Sequence, residues 1–262
     1  MIIRCFYILL YISMTGSIYD QSFMEGNDAY YKNDFSTAIL KYEKLIESGI
    51  ENPALFYNLG NAYYHSGNKG LAIANYERAL DLNPSFKMAK DNLNKVLNET
   101  KRNLAIPDES LWWKYLFIWH YGLSSQWTWS ICLIFWITGW VLFAFLMWVK
   151  KEVKKYFFVL GSICLFVSIV FFTSGIIKKM TPPLGVIIVS ESPVRIAPSD
   201  NSPSRFELFE GDRVRVERED NGWALILTVD KERGWVKGNE ILIWKPPYRK
   251  VELNHINNKK ES

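Results

Sequence analysis

Apolar positions follow four rhythms along this chain. In MIIRCFYILLYISMTGS, residues 1–17, an early Arg4 precedes an apolar stretch from Cys5 to Met14 and then Thr15, Gly16 and Ser17. That is the layout of a secretory leader, with an apolar core of about ten residues, short for a bilayer. Removal of the leader and its retention as an anchor both stay open. From 19 to 104 apolar residues recur at helical spacing. Trp129 to Val149 and Tyr156 to Ile177 carry no charge, and each matches the roughly 20 residues that cross a hydrocarbon core as a helix. From Leu184 to Trp244 the pattern shortens to strand-like runs, GVIIV, SPVRIAPS, DRVRVERE, GWALILTV, RGWVKG and EILIW. Glu210-Gly211-Asp212 and Asp220-Asn221-Gly222 read as turns between them. The tail, 246–262, is polar and basic and is expected to be disordered.

The helical region repeats itself. In FYNLGNAYYHSGNKGLAIANYERALDLNP, residues 56–84, Gly60-Asn61, Tyr64, Ala72-Ile73 and Tyr76-Glu77 echo Gly26-Asn27, Tyr30, Ala38-Ile39 and Tyr42-Glu43. A period of about 34 residues in a helical pattern marks the tetratricopeptide repeat, a helix–turn–helix unit. Phe56, Leu59-Gly60, Tyr63, Ala72, Tyr76, Ala79 and Pro84 fit that pattern, with Phe56 in place of the usual Trp. The expected units are 19–52 and 53–86, with turns at Lys32-Asn33-Asp34 and Ser66-Gly67-Asn68. A helix over 85–100, striped with Ala89, Leu93, Val96 and Leu97, is expected to cap the exposed apolar face. The first helix of each unit would line a groove, which makes Phe23, Asn27, Tyr30, Tyr31, Tyr57, Asn58, Asn61, Tyr64 and His65 the candidate protein-binding residues. Asparagines there could hold a peptide backbone or only trim the helix surface. Phe23 and Met88 stand where repeats that seize a terminal carboxylate carry lysine, which argues against that mode.

Charge sets the expected topology. KKEVKK, 150–155, is a short basic connection between the spans 128–149 and 156–177, and such connections stay on the cytoplasmic side. Both soluble parts then face outward, in accord with an exported N-terminus, and the chain sits in a bacterial inner membrane. Lys178-Lys179 on the outer side weaken the asymmetry without reversing it. Trp112, Trp113, Trp119, Tyr121 and Trp127 crowd an interfacial segment, 107–127, expected to lie at headgroup level.

Composition narrows the function classes. The chain has 262 residues, 49% hydrophobic, with a net charge of +4, too weak and dispersed a charge for nucleic acid. Three cysteines, all in apolar runs, give neither a disulfide framework nor metal-ligand spacing. There is no phosphate-binding loop and no cofactor motif, and His65, His120 and His255 fall in separate segments. Glu191, Glu210 and Glu217 read as solvated charges. No catalytic, cofactor or metal residues are nominated, and the expectation is a protein without enzymatic activity.

The segment 184–245 resembles bacterial SH3-like domains through Val194-Arg195, Pro198-Ser199, Gly211, Gly222-Trp223 and Gly234-Trp235. Trp223 and Trp235 are therefore candidate surface residues for a peptide or for peptidoglycan, or else core and rim of a spacer. The full order is a multidomain membrane protein with an α-helical tetratricopeptide solenoid, two transmembrane helices and a small all-β SH3-like barrel. With LWWKYLFIW at 111–119 and KKEVKK, it resembles the BatE proteins of Bacteroidetes and related bacteria. The resemblance implies a non-catalytic adaptor of an aerotolerance (Bat) complex, beside membrane proteins with von Willebrand A domains and, indirectly, a MoxR-type ATPase. In that picture repeats and barrel offer two contacts on one tethered chain; a cell-wall sensor is the alternative.

Overall fold

The computed structural model describes residues 21–102 and 118–244. The leader, the tail and residues 107–117 of the interfacial segment lie outside them. The chain forms two compact units, one built from residues 1–108 together with 182–262 and the other from residues 109–181.

Five helices open the first unit: α1 (21–31), α2 (Phe35–Glu47), α3 (Pro53–His65), α4 (Lys69–Leu82) and α5 (Lys87–Asn98). Their ends are written in the sequence. Asp34 caps α2 by accepting from the Thr37 N–H at 3.1 Å. Asn52 caps α3 by accepting from Ala54 at 2.8 Å, with Pro53 as first helical residue. The turns between paired helices place Asn33 (φ 61°) and Gly67 (φ 87°), an echo apart, in the left-handed region that asparagine and glycine tolerate best.

The paired helices approach where the sequence offers no side chain. A Cβ on Gly60 would stand 2.7 Å from the Tyr76 ring, and one on Gly26 would stand 2.6 Å from Tyr42. Tyr42, Phe56, Leu59, Ile73 and Tyr76 fill the space between helices, and Ala89, Leu93, Val96 and Leu97 of α5 close its end.

Seven strands follow: β1 (Leu184–Ile187), β2 (Glu191–Arg195), β3 (Ser204–Phe209), β4 (Arg213–Asp220), β5 (Trp223–Leu227), β6 (Arg233–Lys237) and β7 (Ile241–Trp244). They form one sheet in the order β3-β2-β6-β5-β4-β1-β7, with antiparallel pairs throughout. Ile187, Val194, Leu208, Val214, Val216, Ala224, Ile226, Val236 and Ile241 make its core. The strand β3 was not among the expected runs: of Ser-Arg-Phe-Glu-Leu-Phe only Leu208 is fully buried, as suits an edge strand with Arg205 and Glu207 exposed. Asn221 (φ 46°) and Gly222 (φ 81°) make the tight turn of the β4–β5 hairpin.

The strands do not stand apart from the helices. Every residue of α4 from Gly70 to Ala79 is buried, and Val186, Leu242 and Trp244 belong to the same apolar cluster as the helical core. A Cβ on Gly70 would meet the Ile187 carbonyl oxygen at 2.5 Å, so only glycine lets α4 lie this close to β1. Helices and strands therefore pack as one compact unit.

The second unit is a helical hairpin of Ser125–Phe145 and Lys151–Met180, both long and apolar enough to cross a membrane, preceded by a short helix, Ile118–Gly122. The helices meet at Gly139 and Gly161, where a Cβ on Gly139 would stand 2.7 Å from Leu165, and Ser168 Oγ donates to the Cys132 carbonyl at 3.0 Å. Small residues at the crossing are the usual means of close helix packing in lipid. Leu133, Ile134, Ile137, Phe166 and Ile169 point away from the partner helix and are exposed. The connection differs from the expected one: the chain turns at 146–150, and Lys151 to Lys155 already belong to the second helix. Lysine and glutamate are good helix formers, so the basic stretch continues the apolar helix instead of interrupting it.

Candidate functional site

A cleft of about 250 Å³ opens on the side of the solenoid formed by α1, α3 and α5. Its lining is Tyr30, Tyr57, Asn61, Tyr64, His65, Tyr76, Asn92, Lys95 and Val96. Five of the nine candidate groove residues thus converge here: Tyr30, Tyr57, Asn61, Tyr64 and His65.

The other four are placed differently. Phe23 packs on Tyr42 at 5.9 Å between ring centres, and Tyr31 projects outward at 81% exposure. Asn27 and Asn58 bind each other: Asn27 Oδ1 accepts from Tyr42 Oη at 2.7 Å and from Asn58 Nδ2 at 2.9 Å. One repeat later, Asn61 Oδ1 accepts from Tyr76 Oη at 2.7 Å and from Asn92 Nδ2 at 2.9 Å. An amide oxygen has two lone pairs, so both acceptors are saturated within the fold. The asparagines act as rungs that tie each helix pair to the next helix, and a hold on a peptide backbone by Asn27 or Asn61 would have to use their amide N–H groups.

The sequence reading missed Asn92, Lys95, Tyr76 and Val96 as lining residues. The signal was present, since Asn92-Leu93 stands 34 residues after Asn58-Leu59, which sets α5 in the same register as α3. Lys95 takes the place held by Asn27 and Asn61 and sets its ammonium over the Tyr64 ring at 4.9 Å. Tyr64 Oη donates to Glu99 at 2.8 Å; that bond, with Lys69 and Lys95 nearby, holds the Glu99 carboxyl below the usual range. Burial pushes the Tyr30 and Tyr76 phenols up, so they stay neutral as donors. His65 stacks on Phe35 at 5.2 Å. The cleft therefore offers phenol faces, amide N–H groups and one ammonium, a surface that suits a polar peptide with an acidic group.

The opposite side of α4 carries the charges that join helices to strands. Arg213 Nη1 meets Glu77 Oε1 at 2.8 Å, with side-chain exposures of 10% and 9%, and Gly70 N–H donates to Glu210 Oε1 at 2.8 Å. Arg102 pairs with the buried Asp212, and Trp244 Nε1 donates to Asp81 Oδ2 at 2.8 Å. Asp81 keeps one side open to solvent, but the loss of water on the other pushes its carboxyl up to about 6, opposed by the Trp244 bond and reinforced by Glu77. Of the three glutamates read as solvated, Glu210 is tied to α4, Glu217 to Arg233 at 2.9 Å and Glu191 to Lys101 at 3.5 Å.

Trp235 is only 7% exposed, with the Arg218 guanidinium 5.1 Å from its ring centre. So covered, the ring has little face left for a ligand, which favours the second of its two readings, a core or rim residue of a spacer. Trp223 is half-buried, with the Lys237 ammonium 5.8 Å from its ring centre.

A Pyropia yezoensis protein, "Uncharacterized protein ycf37", is 30% identical over 91 residues, an alignment covering 31% of this chain and 51% of that protein. The chain thus spans about half the length of the curated relative it matches. Residues 53–86, which comprise α3 and α4 and include five lining residues of the cleft, match the family model described as the tetratricopeptide repeat.

Proposed function

We propose that the chain is a non-catalytic membrane adaptor whose cleft holds an acidic, extended segment of a partner protein in a cell-envelope complex of the Bat type. The observation that carries this reading is the convergence of Tyr30, Tyr57, Tyr64, His65 and Lys95, from the alternate helices α1, α3 and α5, on one cleft built around a tetratricopeptide repeat. Such repeats are interaction modules, and exposed aromatic and cationic side chains in a concavity are the usual carriers of binding energy. The apolar hairpin serves as the membrane anchor, with both soluble parts on the outer face of a bacterial inner membrane and Lys150–Lys155 on the cytoplasmic face.

The order of segments supports membrane partners with von Willebrand A domains, with a MoxR-type ATPase reached indirectly. The strand domain, read as an SH3-like barrel, serves as a fixed buttress of the repeats. A peptidoglycan-binding role would rest on Trp223 alone.

Photo-crosslinking from His65 and Lys95 in intact cells tests the reading, with Leu40, exposed on α2 outside the cleft, as control. Adducts to one envelope protein from the cleft positions and not from Leu40 are expected. Equal labelling from all three positions would end the proposal.

A further inference from the structure

We propose that the elbow of the apolar hairpin is a binding surface for the headgroups of anionic phospholipids; this rests on the membrane-spanning reading above. Lys151, Lys154 and Lys155 occupy the first turns of the second apolar helix. Their i, i+3, i+4 spacing puts them on one face of that helix, and Lys150 stands at its N-cap. All four are exposed. Glu152, the one acid among residues 150–155, stands off that face by about 100° of helical rotation.

The surface is rimmed by Trp148, 86% exposed, and Tyr156, aromatic residues suited to headgroup depth. The far end of the hairpin is different. There Lys178 Nζ donates to the Leu123 carbonyl at 2.6 Å and to Thr128 Oγ1 at 2.9 Å, which commits two of its three protons inside the protein. Of the two lysines at that end, only Lys179 remains exposed. Among the described residues a concentrated cationic face with an aromatic rim therefore exists at one end only, at the depth where lipid phosphates lie when the helices span.

Each lysine near an anionic lipid surface is worth about a fivefold gain in association, and screening by salt acts over about 10 Å. A zwitterionic headgroup, with no net charge, offers the four ammoniums little.

The test uses the purified full chain in mild detergent with equimolar phosphatidylcholine and phosphatidylglycerol, counting retained lipid by native mass spectrometry. Preferential retention of phosphatidylglycerol by about tenfold or more is expected. The Lys150→Gln, Lys151→Gln, Lys154→Gln, Lys155→Gln variant should lose that preference, while Lys179→Gln keeps it. Preference unchanged in the fourfold variant, or absent from the parent chain, overturns the proposal. Displacement of the bound lipid by excess glycerol 3-phosphate would also overturn it, in favour of a soluble phosphate. An alkaline carbonate wash of membranes separates the two readings. Release of the chain defeats the anchor itself, whereas retention without lipid preference defeats only the elbow surface. Helix content measured by circular dichroism confirms that the fourfold variant is folded.

Discussion

The two sides of α4 are held by opposite kinds of interaction. Toward α3 and α5 it presents Ala72, Tyr76 and Ala79 to a repeating arrangement in which each polar rung recurs one unit later. Toward the strands it presents Gly70, Glu77 and Asp81 to Glu210, Arg213 and Trp244, partners more than 130 residues away that occur once. The first side is specified locally and should yield by degrees when one rung is removed. The second depends on charge neutralisation out of water, where loss of one partner strands the other.

The largest effect is therefore expected from Arg213→Met, which leaves the Glu77 carboxylate buried opposite an apolar side chain. A loss of about 3–5 kcal/mol is expected, read by chemical denaturation of the full chain in detergent. Adding Glu77→Leu should recover most of it. If the double variant is no better than the single one, the charge argument fails and packing alone explains the interface.

Next come the close approaches. Gly60→Ala drives a methyl into the Tyr76 ring and should cost about 1–3 kcal/mol. Gly70→Ala meets a backbone oxygen that cannot rotate away, so it should also expose the α4–β1 seam, seen as faster amide exchange in both elements. Equal exchange in the two variants would erase the distinction drawn here between ring and backbone neighbours.

Asn61→Ala removes a rung and leaves Tyr76 Oη and Asn92 Nδ2 without their acceptor, an expected loss of about 1–3 kcal/mol. Trp244→Phe keeps the packing and deletes one N–H donor to Asp81, for a loss of about 1 kcal/mol.

The smallest effect concerns pH, because the open side of Asp81 lets solvent screen most of its shift. Burial holds the Asp81 carboxyl near 6 in the folded chain, above its unfolded value of about 3.9. Between those values the folded state binds more protons, so stability should fall as pH rises from about 4 to about 6 and change little above. Asp81→Asn should flatten that slope. A slope unchanged in the variant would assign the titration to another group.

The same contrast separates what was readable in advance. Gly26, Gly60, Tyr42 and Tyr76 were legible because a repeat states its own geometry twice, and one copy explains the other. The apolar hairpin was legible by length and absence of charge. The strand β3 escaped because an edge strand buries too few residues to show alternation. Of the cleft, the phenols of α1 and α3 were readable from helical position. Asn27 and Asn61 looked available because a residue's position on a helix face does not say whether its lone pairs are already filled.

Periodicity, helix caps and uncharged length are local properties, and the sequence alone determined them: helix pairs at a 34-residue interval, two helices fit for a bilayer, and a run of strands. Tertiary structure decided which distant charges meet. That Glu77 finds Arg213, that Glu210 reaches the Gly70 amide, and that α4 lies against β1 follow from surfaces brought together across a long connection. Their energies depend on burial and mutual distance, quantities that no stretch of sequence contains by itself.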